Sequence, residues 1–203
     1  CDMSFFENTR KPVGFGGKLM VAMMNLGHTP MACWGLRFLK LAPNANVLDC
    51  GCGGGANIKR LLKKCPRGSV KGLDYSPVSV EKSKKVNQTA IAEGRCAVLQ
   101  GSVAELPFKT EEFDGVTAFE TVYFWPDILQ SFQEVYRVLK PGGTFFICNE
   151  SNGDTDKDEK WTEIIGGMTI YKDAQLKAYL EQAGFHEVQI HKKKSWLCIT
   201  ARK

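Results

Sequence analysis

From residue 46 onward, short apolar runs alternate with segments in which apolar residues recur at helical spacing. The runs predict buried strands, and the 3.6-residue spacing predicts amphipathic helices. The predicted strands span residues 46–50, 69–74, 96–100, 113–119, 144–148, 185–191 and 196–201. The predicted helices span residues 56–64, 77–93, 128–140 and 172–183. Ser76 and Asp127 are typical N-cap residues for two of these helices, and Gly94 and Gly184 are typical stops.

This alternation predicts an α/β fold with a doubly wound, seven-stranded sheet. The last two strands are joined only by residues 192–195, so they should pair antiparallel. We therefore expect a sheet that is parallel except for one antiparallel edge strand. Residues 1–44 precede the first strand and hold five of the six methionines. We expect these residues to form a helical cap segment, and residues 45–203 to form one globular domain.

Composition narrows the function classes. The net charge of +5 is mild for 203 residues and indicates a solvated surface rather than a nucleic-acid partner. The eight cysteines include no C-x-x-C pair and there are three histidines, so no metal site is expected. Scattered cysteines are typical of buried thiols in a reducing cytoplasm. No run is apolar enough to span a bilayer, and the first residues do not resemble a signal peptide.

A glycine-rich turn from Asp49 to Gly55 follows the first predicted strand, and Asp74 ends the second. Glycines let the backbone approach a ligand closely, and the N-terminus of the next helix favours polar or anionic groups. An acid at the end of the second strand can accept hydrogen bonds from ribose hydroxyls. Together these features predict a ribonucleotide-like ligand.

A nicotinamide cofactor is one such ligand. Gly51, Gly53 and Ala56 satisfy the G-x-G-x-x-A dinucleotide pattern, and Tyr136 and Lys140 have the spacing of short-chain dehydrogenases. That catalytic pair should lie in mid-helix, whereas Lys140 abuts a Pro-Gly-Gly stop and Tyr136 lies on the apolar helix face. An NAD-dependent short-chain dehydrogenase is therefore a secondary alternative.

Motifs in chain order resemble those of the class I S-adenosylmethionine-dependent methyltransferases. They are VLDCGCGGG at 47–55, GLDYS at 72–76, QGSVAELPF at 100–108, EFDGVTAFE at 112–120, RVLKPGG at 137–143 and AGFHEVQI at 183–190. The chain looks most like small-molecule methyltransferases, such as those of quinone biosynthesis that methylate carbon. The resemblance implies S-adenosylmethionine as cofactor and a small, apolar or aromatic acceptor.

The resemblance also implies a cofactor site. Its residues are Asp49, Gly51, Cys52, Gly53, Asp74, Tyr75, Gly101, Ser102, Val103 and Glu120. Asp49 and the glycines of the turn would line the methionine part, Asp74 would bind the ribose, and Tyr75 would pack on the adenine. Ser102 and Val103 would meet the adenine edge, where the family often has aspartate in place of Ser102. Glu120 would lie near the amino group or the methyl end.

No catalytic residue is defined by the sequence. His28, Glu120 and Tyr123 are candidates for a general base, and His28, Tyr123 and Trp125 for the wall of the acceptor pocket. The Asn/Asp-Pro-Pro-aromatic signature of nucleic-acid amine methylases is missing after the fourth strand, so the expected partner is a small molecule and not a nucleic acid. The sequence leaves the oligomeric state open. The alternative to an enzyme is a protein that binds S-adenosylmethionine without turnover, as a sensor or partner subunit.

Overall fold

The computed structural model describes residues 29–154 and 167–203. Within them the helices are α1 (Thr29–Gly35), α2 (Ala56–Lys64), α3 (Pro77–Val86), α4 (Gln88–Ala92), α5 (Ile128–Val138) and α6 (Asp173–Gln182). The strands are β1 (Asn46–Cys50), β2 (Ser69–Asp74), β3 (Cys96–Gln100), β4 (Phe113–Phe119), β5 (Leu139–Asn149), β6 (His186–Lys193) and β7 (Trp196–Arg202). A short 3₁₀ turn spans Val122–Phe124. The first four strands have the bounds that the apolar runs predict.

The seven strands form one sheet in the order β3-β2-β1-β4-β5-β7-β6. Strands β1 to β5 pair in parallel, and β7 runs antiparallel to both of its neighbours. The predicted fold class is confirmed, with β7 as the antiparallel strand and β6 outside it at the edge. Chain order reverses between β1 and β4, and in such sheets ligands bind beyond the carboxyl ends of the strands at that point.

Several element boundaries differ from the prediction by one or two residues, and two differences are larger. The segment expected to be one helix over residues 77–93 is broken at Asn87, whose side-chain amide donates to the carbonyls of Gly55 (3.0 Å) and Ser83 (2.9 Å). An amide that bonds nearby carbonyls competes with the helical pattern. Strand β5 begins at Leu139, earlier than expected, because Leu139 already pairs with Phe113 of β4.

Apolar side chains cover both faces of the sheet. On one face, Phe132 of α5 and Leu176 of α6 join an apolar cluster with Val116 and Phe145 of the sheet. On the other face, Met31 of α1 and Ile58 of α2 join a second cluster with sheet residues, so this part of the methionine-rich segment belongs to the core. The rest of the predicted cap, residues 1–28 with His28, lies outside the described residues. None of the described helices is long and apolar enough to cross a membrane.

Candidate functional site

The glycine-rich turn after β1 packs against the residue that follows β4. Gly51 has a φ of 71°, and its N–H and that of Cys52 donate to the Leu73 carbonyl at 2.8 and 3.0 Å. A β-carbon built on Gly51 would lie 2.0 Å from Oγ1 of Thr121. Only glycine meets both conditions, because an L side chain disfavours this φ and would collide with Thr121. The turn and the end of β4 therefore form one rigid unit.

Asp74 links the turn to the end of β2. Its Oδ2 accepts a hydrogen bond from the Gly53 N–H and its Oδ1 one from the Ser76 N–H, both at 2.9 Å. Burial raises the pKa of Asp74, and the two backbone bonds partly offset this rise. A carboxylate has about four acceptor positions, so about two remain for a ligand.

A cavity of about 210 Å³ opens at this point of the sheet. Its lining residues are Gly51, Leu73, Asp74, Tyr75, Gly101, Ser102, Val103, Thr121, Phe124, Trp125 and Pro126. Six of the predicted cofactor residues are among them, together with Trp125, which we predicted for the acceptor pocket. Asp74 carries the only charged side chain of this lining. The Tyr75 ring is 40% exposed, more than any other large apolar side chain in the described ranges.

No specific signal in the sequence indicates Thr121 and Pro126 as lining residues. Both follow β4 in the chain, and the 3₁₀ turn between them brings both to the wall of the cavity. Trp125 combines two roles, since its ring stacks on Phe145 at 6.0 Å and its Nε1 donates to Oγ1 of Thr121 at 3.2 Å.

The remaining predicted residues of the turn lie behind the cavity. Asp49 is buried, and its Oδ1 accepts a hydrogen bond from the Thr117 hydroxyl at 2.7 Å. Its Oδ2 has no hydrogen-bond partner within the described part of the chain. Burial raises the pKa of Asp49 to about 7. The Cys52 thiol donates to the Ser83 hydroxyl at 3.8 Å and the Cys52 N–H donates to the Leu73 carbonyl, and Cys52 is not among the residues that line the cavity.

The half-buried Glu120 and the buried Tyr123 form an acid–phenol pair just after β4, and neither is among the residues that line the cavity. The Tyr123 hydroxyl donates to Oε1 of Glu120 at 3.2 Å and accepts from the Ser151 N–H at 3.0 Å. The same Glu120 oxygen accepts from the Glu150 N–H. Burial of the carboxyl group raises the pKa of Glu120 to about 8, and burial also raises the pKa of Tyr123. Glu120 has a φ of 56°, a conformation that costs a non-glycine residue about 1–3 kcal/mol and is found most often at functional sites.

The pair required for a short-chain dehydrogenase does not assemble. The Tyr136 ring packs edge-on against Phe185 at 5.2 Å, which supports a core role. Lys140 lies on β5 rather than on a helix, and its Nζ is 2.9 Å from Oδ1 of Asp114. The dehydrogenase alternative therefore lacks its catalytic residues.

Residues 48–147 match the family model described as a methyltransferase domain. These residues, about half of the chain, form a methyltransferase domain, and its fold is that of the class I S-adenosylmethionine-dependent methyltransferases. A solved S-adenosylmethionine-dependent methyltransferase from Aquifex aeolicus has the same fold, with a TM-score of 0.77 at 19% identity over 91% of this chain and 97% of that one.

Two relatives match this methyltransferase domain in sequence. Demethylmenaquinone methyltransferase of Lactiplantibacillus plantarum is 40% identical over 116 residues, which cover 56% of this chain and 48% of that protein. Cycloartenol-C-24-methyltransferase 1 of Oryza sativa is 34% identical over 109 residues, which cover 54% of this chain and 31% of that protein. The chain thus matches less than half the length of either relative.

The residues of the methyltransferase domain fit S-adenosylmethionine. The cofactor has two positive groups, an ammonium and a sulfonium, and the acids Asp49, Asp74 and Glu120 stand at the ends of neighbouring strands. The unpartnered Oδ2 of Asp49 is a buried acceptor of the kind an ammonium would satisfy. Asp74 keeps acceptor positions for the ribose, and the exposed Tyr75 ring can pack on a base.

Proposed function

We propose that this protein transfers the methyl group of S-adenosylmethionine to a small, apolar or aromatic acceptor. The observation that carries the proposal is the cavity at the β1–β4 switch point, where the buried Asp74 carboxylate meets the exposed Tyr75 ring. A nucleic-acid acceptor is disfavoured, since Asp74 would repel phosphates and no residue of the described ranges that lines this cavity is a cation.

The cofactor roles follow from the available groups. Asp74 accepts hydrogen bonds from the ribose hydroxyls, and Tyr75 packs on the adenine. Val103 and the Ser102 hydroxyl, which already accepts the Ala104 N–H at 3.2 Å, meet the adenine edge. The methionine part lies toward Asp49, along the backbone of Gly51 and Gly53.

When bound, the cofactor supplies an electrophilic methyl group on its sulfonium. The task of the chain is to hold the acceptor atom in line with that group, and such alignment contributes on the order of 7–11 kcal/mol. The aromatic rings of Phe124 and Trp125 form an apolar wall that excludes water. Glu120, held by the Tyr123 hydroxyl, takes the proton that a hydroxyl or an acidic carbon loses.

The acceptor class draws on the relatives. They are named for demethylmenaquinone and for cycloartenol, a quinone and a sterol. We therefore propose an acceptor with an apolar ring system. The seven free cysteines of the described ranges favour a reducing, cytoplasmic location.

The test has two stages. Calorimetry with S-adenosylmethionine and with NADH should show binding of the first alone, and binding of NADH alone would overturn the proposal. Transfer of label from methyl-labelled S-adenosylmethionine is then measured with demethylmenaquinone, with cycloartenol and with an organic cell extract. A tight cofactor complex that labels no product would instead indicate a binding protein without turnover.

Glu120 can be tested once a product is found. We expect Glu120→Gln to lower kcat about 100-fold, because proton acceptors contribute about 10²–10⁴-fold, and to remove the rise of kcat toward pH 8. Tyr123→Phe keeps the ring and the carboxylate, so it should retain the pH-dependent rise. An unchanged pH profile in the Glu120→Gln protein would show that the acceptor needs no base there.

A further inference from the structure

One wall of the cavity is a loop with little regular structure of its own. Residues 101–108 connect β3 toward β4, and Gly101, Ser102 and Val103 in this loop face the cavity. Within the loop, an isolated bridge joins Ser102 and Glu105, and the Phe108 N–H donates to the Leu106 carbonyl at 2.8 Å. Backbone of this kind does not fix its own position, so other elements must hold it.

Three side chains of α5 hold the loop from the side away from the cavity. Arg137 donates from Nη1 to the Phe108 carbonyl at 2.8 Å and from Nη2 to the Leu106 carbonyl at 2.9 Å. Glu134 accepts the Leu106 N–H at 2.8 Å, and Gln130 donates to the Ala104 carbonyl at 3.3 Å. Residues 130, 134 and 137 follow each other at helical spacing, so they form one stripe on α5.

Arg137 and Glu134 also fix each other. The guanidinium meets the carboxylate at two points, Nε to Oε1 at 2.7 Å and Nη2 to Oε2 at 2.8 Å. Their hydrogen bonds lower the pKa of Glu134 and raise that of Arg137, so both stay charged. A two-point pair has a defined orientation, which a lysine in place of Arg137 could not reproduce. Since both groups are partly exposed, the pair matters for geometry more than for stability.

The same helix begins at the opposite wall. Trp125 and Pro126 line the cavity just before α5, and the Asp127 side chain caps the helix by accepting the Gln130 N–H at 3.1 Å. Helix α5 is therefore the element that sets the distance between the two walls.

We propose that Gln130, Glu134 and Arg137 are positioning residues for the cofactor, which set the adenosine wall through the loop without touching the ligand. This inference rests on the proposed function, because it takes the cavity to be the adenosine site. Because groups of the protein hold the loop, it has less freedom to lose when the cofactor binds.

The experiment compares Arg137→Gln with Arg137→Lys and with Lys177→Gln. The last variant breaks a surface ion pair on α6, Lys177 to Glu181 at 3.8 Å, and is the matched control. Two quantities are measured: amide hydrogen exchange of residues 101–108 without ligand, and the Kd of S-adenosylhomocysteine by calorimetry. In Arg137→Gln we expect exchange of the loop to rise about 10-fold and the Kd to rise about 10-fold. Arg137→Lys should fall between, and the control should equal the wild type.

The outcomes separate the two proposals. A loop that exchanges faster while the Kd stays at the wild-type value overturns the positioning role, and so does wild-type behaviour in both measurements. If the wild type itself binds no S-adenosylhomocysteine, the proposed function fails, whereas the exchange measurement still reports on the hold of α5 on the loop. If Arg137→Gln does not fold, Gln130→Ala takes its place, since this variant loses one hydrogen bond and no charge. We then expect loop exchange and the Kd of S-adenosylhomocysteine each to rise about 2–3-fold.

Discussion

Asp49, Asp74 and Glu120 stand close to the ends of three neighbouring strands, and burial raises the pKa of each carboxyl group. A carboxyl group with a raised pKa is neutral at low pH and becomes an anion only as the pH passes that pKa. A cationic ligand stabilises the anion, so its binding releases protons in this range. The affinity for a cationic ligand should therefore depend on pH through these three acids.

The affinity for S-adenosylmethionine should therefore rise with pH through about 7 to 8, the values to which burial raises the pKa of Asp49 and Glu120. S-adenosylhomocysteine lacks the sulfonium charge, so its affinity should rise less. Calorimetry of both ligands from pH 6 to pH 9 checks this. We expect the affinity for S-adenosylmethionine to rise on the order of 10-fold over this range. Equal slopes for the two ligands would contradict the coupling.

Asp74 has two roles: it holds the glycine-rich turn, and in the proposed complex it binds the ribose. Replacement by alanine would affect both roles at once. Asp74→Ala removes the acceptors of both the Gly53 and the Ser76 N–H and so disturbs the turn itself. Asp74→Asn keeps one carbonyl oxygen. We expect Asp74→Asn to weaken S-adenosylhomocysteine binding by about 1–3 kcal/mol, because ribose hydroxyls lose charged acceptors. The binding constant of Asp74→Asn, read against that of Asp114→Asn, measures this; equal values for the two would remove Asp74 from the ribose site.

At the scale of elements, the site depends on contacts between segments far apart in the chain. The glycine turn fits only because Thr121, beyond β4, lies against Gly51. Asn87, between α3 and α4, holds the carbonyl of Gly55 from the other side. The turn is therefore fixed by the end of one strand and by a helix break, in addition to its own glycines.

Gly51→Ala should abolish detectable cofactor binding, since the new methyl group would lie 2.0 Å from Oγ1 of Thr121. The double variant Gly51→Ala with Thr121→Gly removes that clash and should recover part of the affinity. Its affinity should stay below the wild-type value, because alanine in the left-handed conformation costs about 1–2 kcal/mol. Titration of both proteins with S-adenosylhomocysteine tests the contact. A double variant as inactive in binding as the single one would place the defect elsewhere.

The elements were predictable where the cause is local. Strands β1 to β4 are apolar runs followed by polar or glycine residues, and Ser76 and Asp127 cap their helices as expected. The helix break at Asn87 depends on the Gly55 carbonyl, which lies 32 residues away in the chain. The early start of β5 depends on Phe113 of the neighbouring strand β4. No local pattern carries that information. The cofactor acids could be inferred by resemblance, but the stripe on α5 depends on where a loop returns in space.

At the scale of the whole molecule, part of the segment before the first strand contributes to the core of the domain. The predicted cap ended at residue 44, yet α1 packs on β5 and β7 and its Met31 and Trp34 are buried there. Residues from 29 onward are therefore part of the core of the domain. The helical cap over residues 1–44 stays a prediction, and α1 within it also belongs to the core.

Two truncations distinguish core from cap. Deleting residues 1–42 exposes the sheet face under Met31, Trp34 and Leu39, each worth about 1.5–3 kcal/mol when buried, so the midpoint of urea unfolding should fall sharply. Deleting residues 1–28 should leave this midpoint and the binding of S-adenosylhomocysteine near the wild-type values while methyl transfer is lost. Full transfer activity after the shorter deletion would refute the cap.

The fluorescence of Trp125 can report the arrival of a ligand in the cavity. The chain has four tryptophans; Trp34 and Trp196 pack together at 5.8 Å on the other face of the sheet, and Trp161 lies outside the described residues. Trp125 alone among the described tryptophans lines the cavity. Its emission should change when an adenine enters, and replacing the other three by phenylalanine would leave a single-site fluorophore. Ligand arrival could then be followed by stopped-flow fluorescence before any acceptor is known.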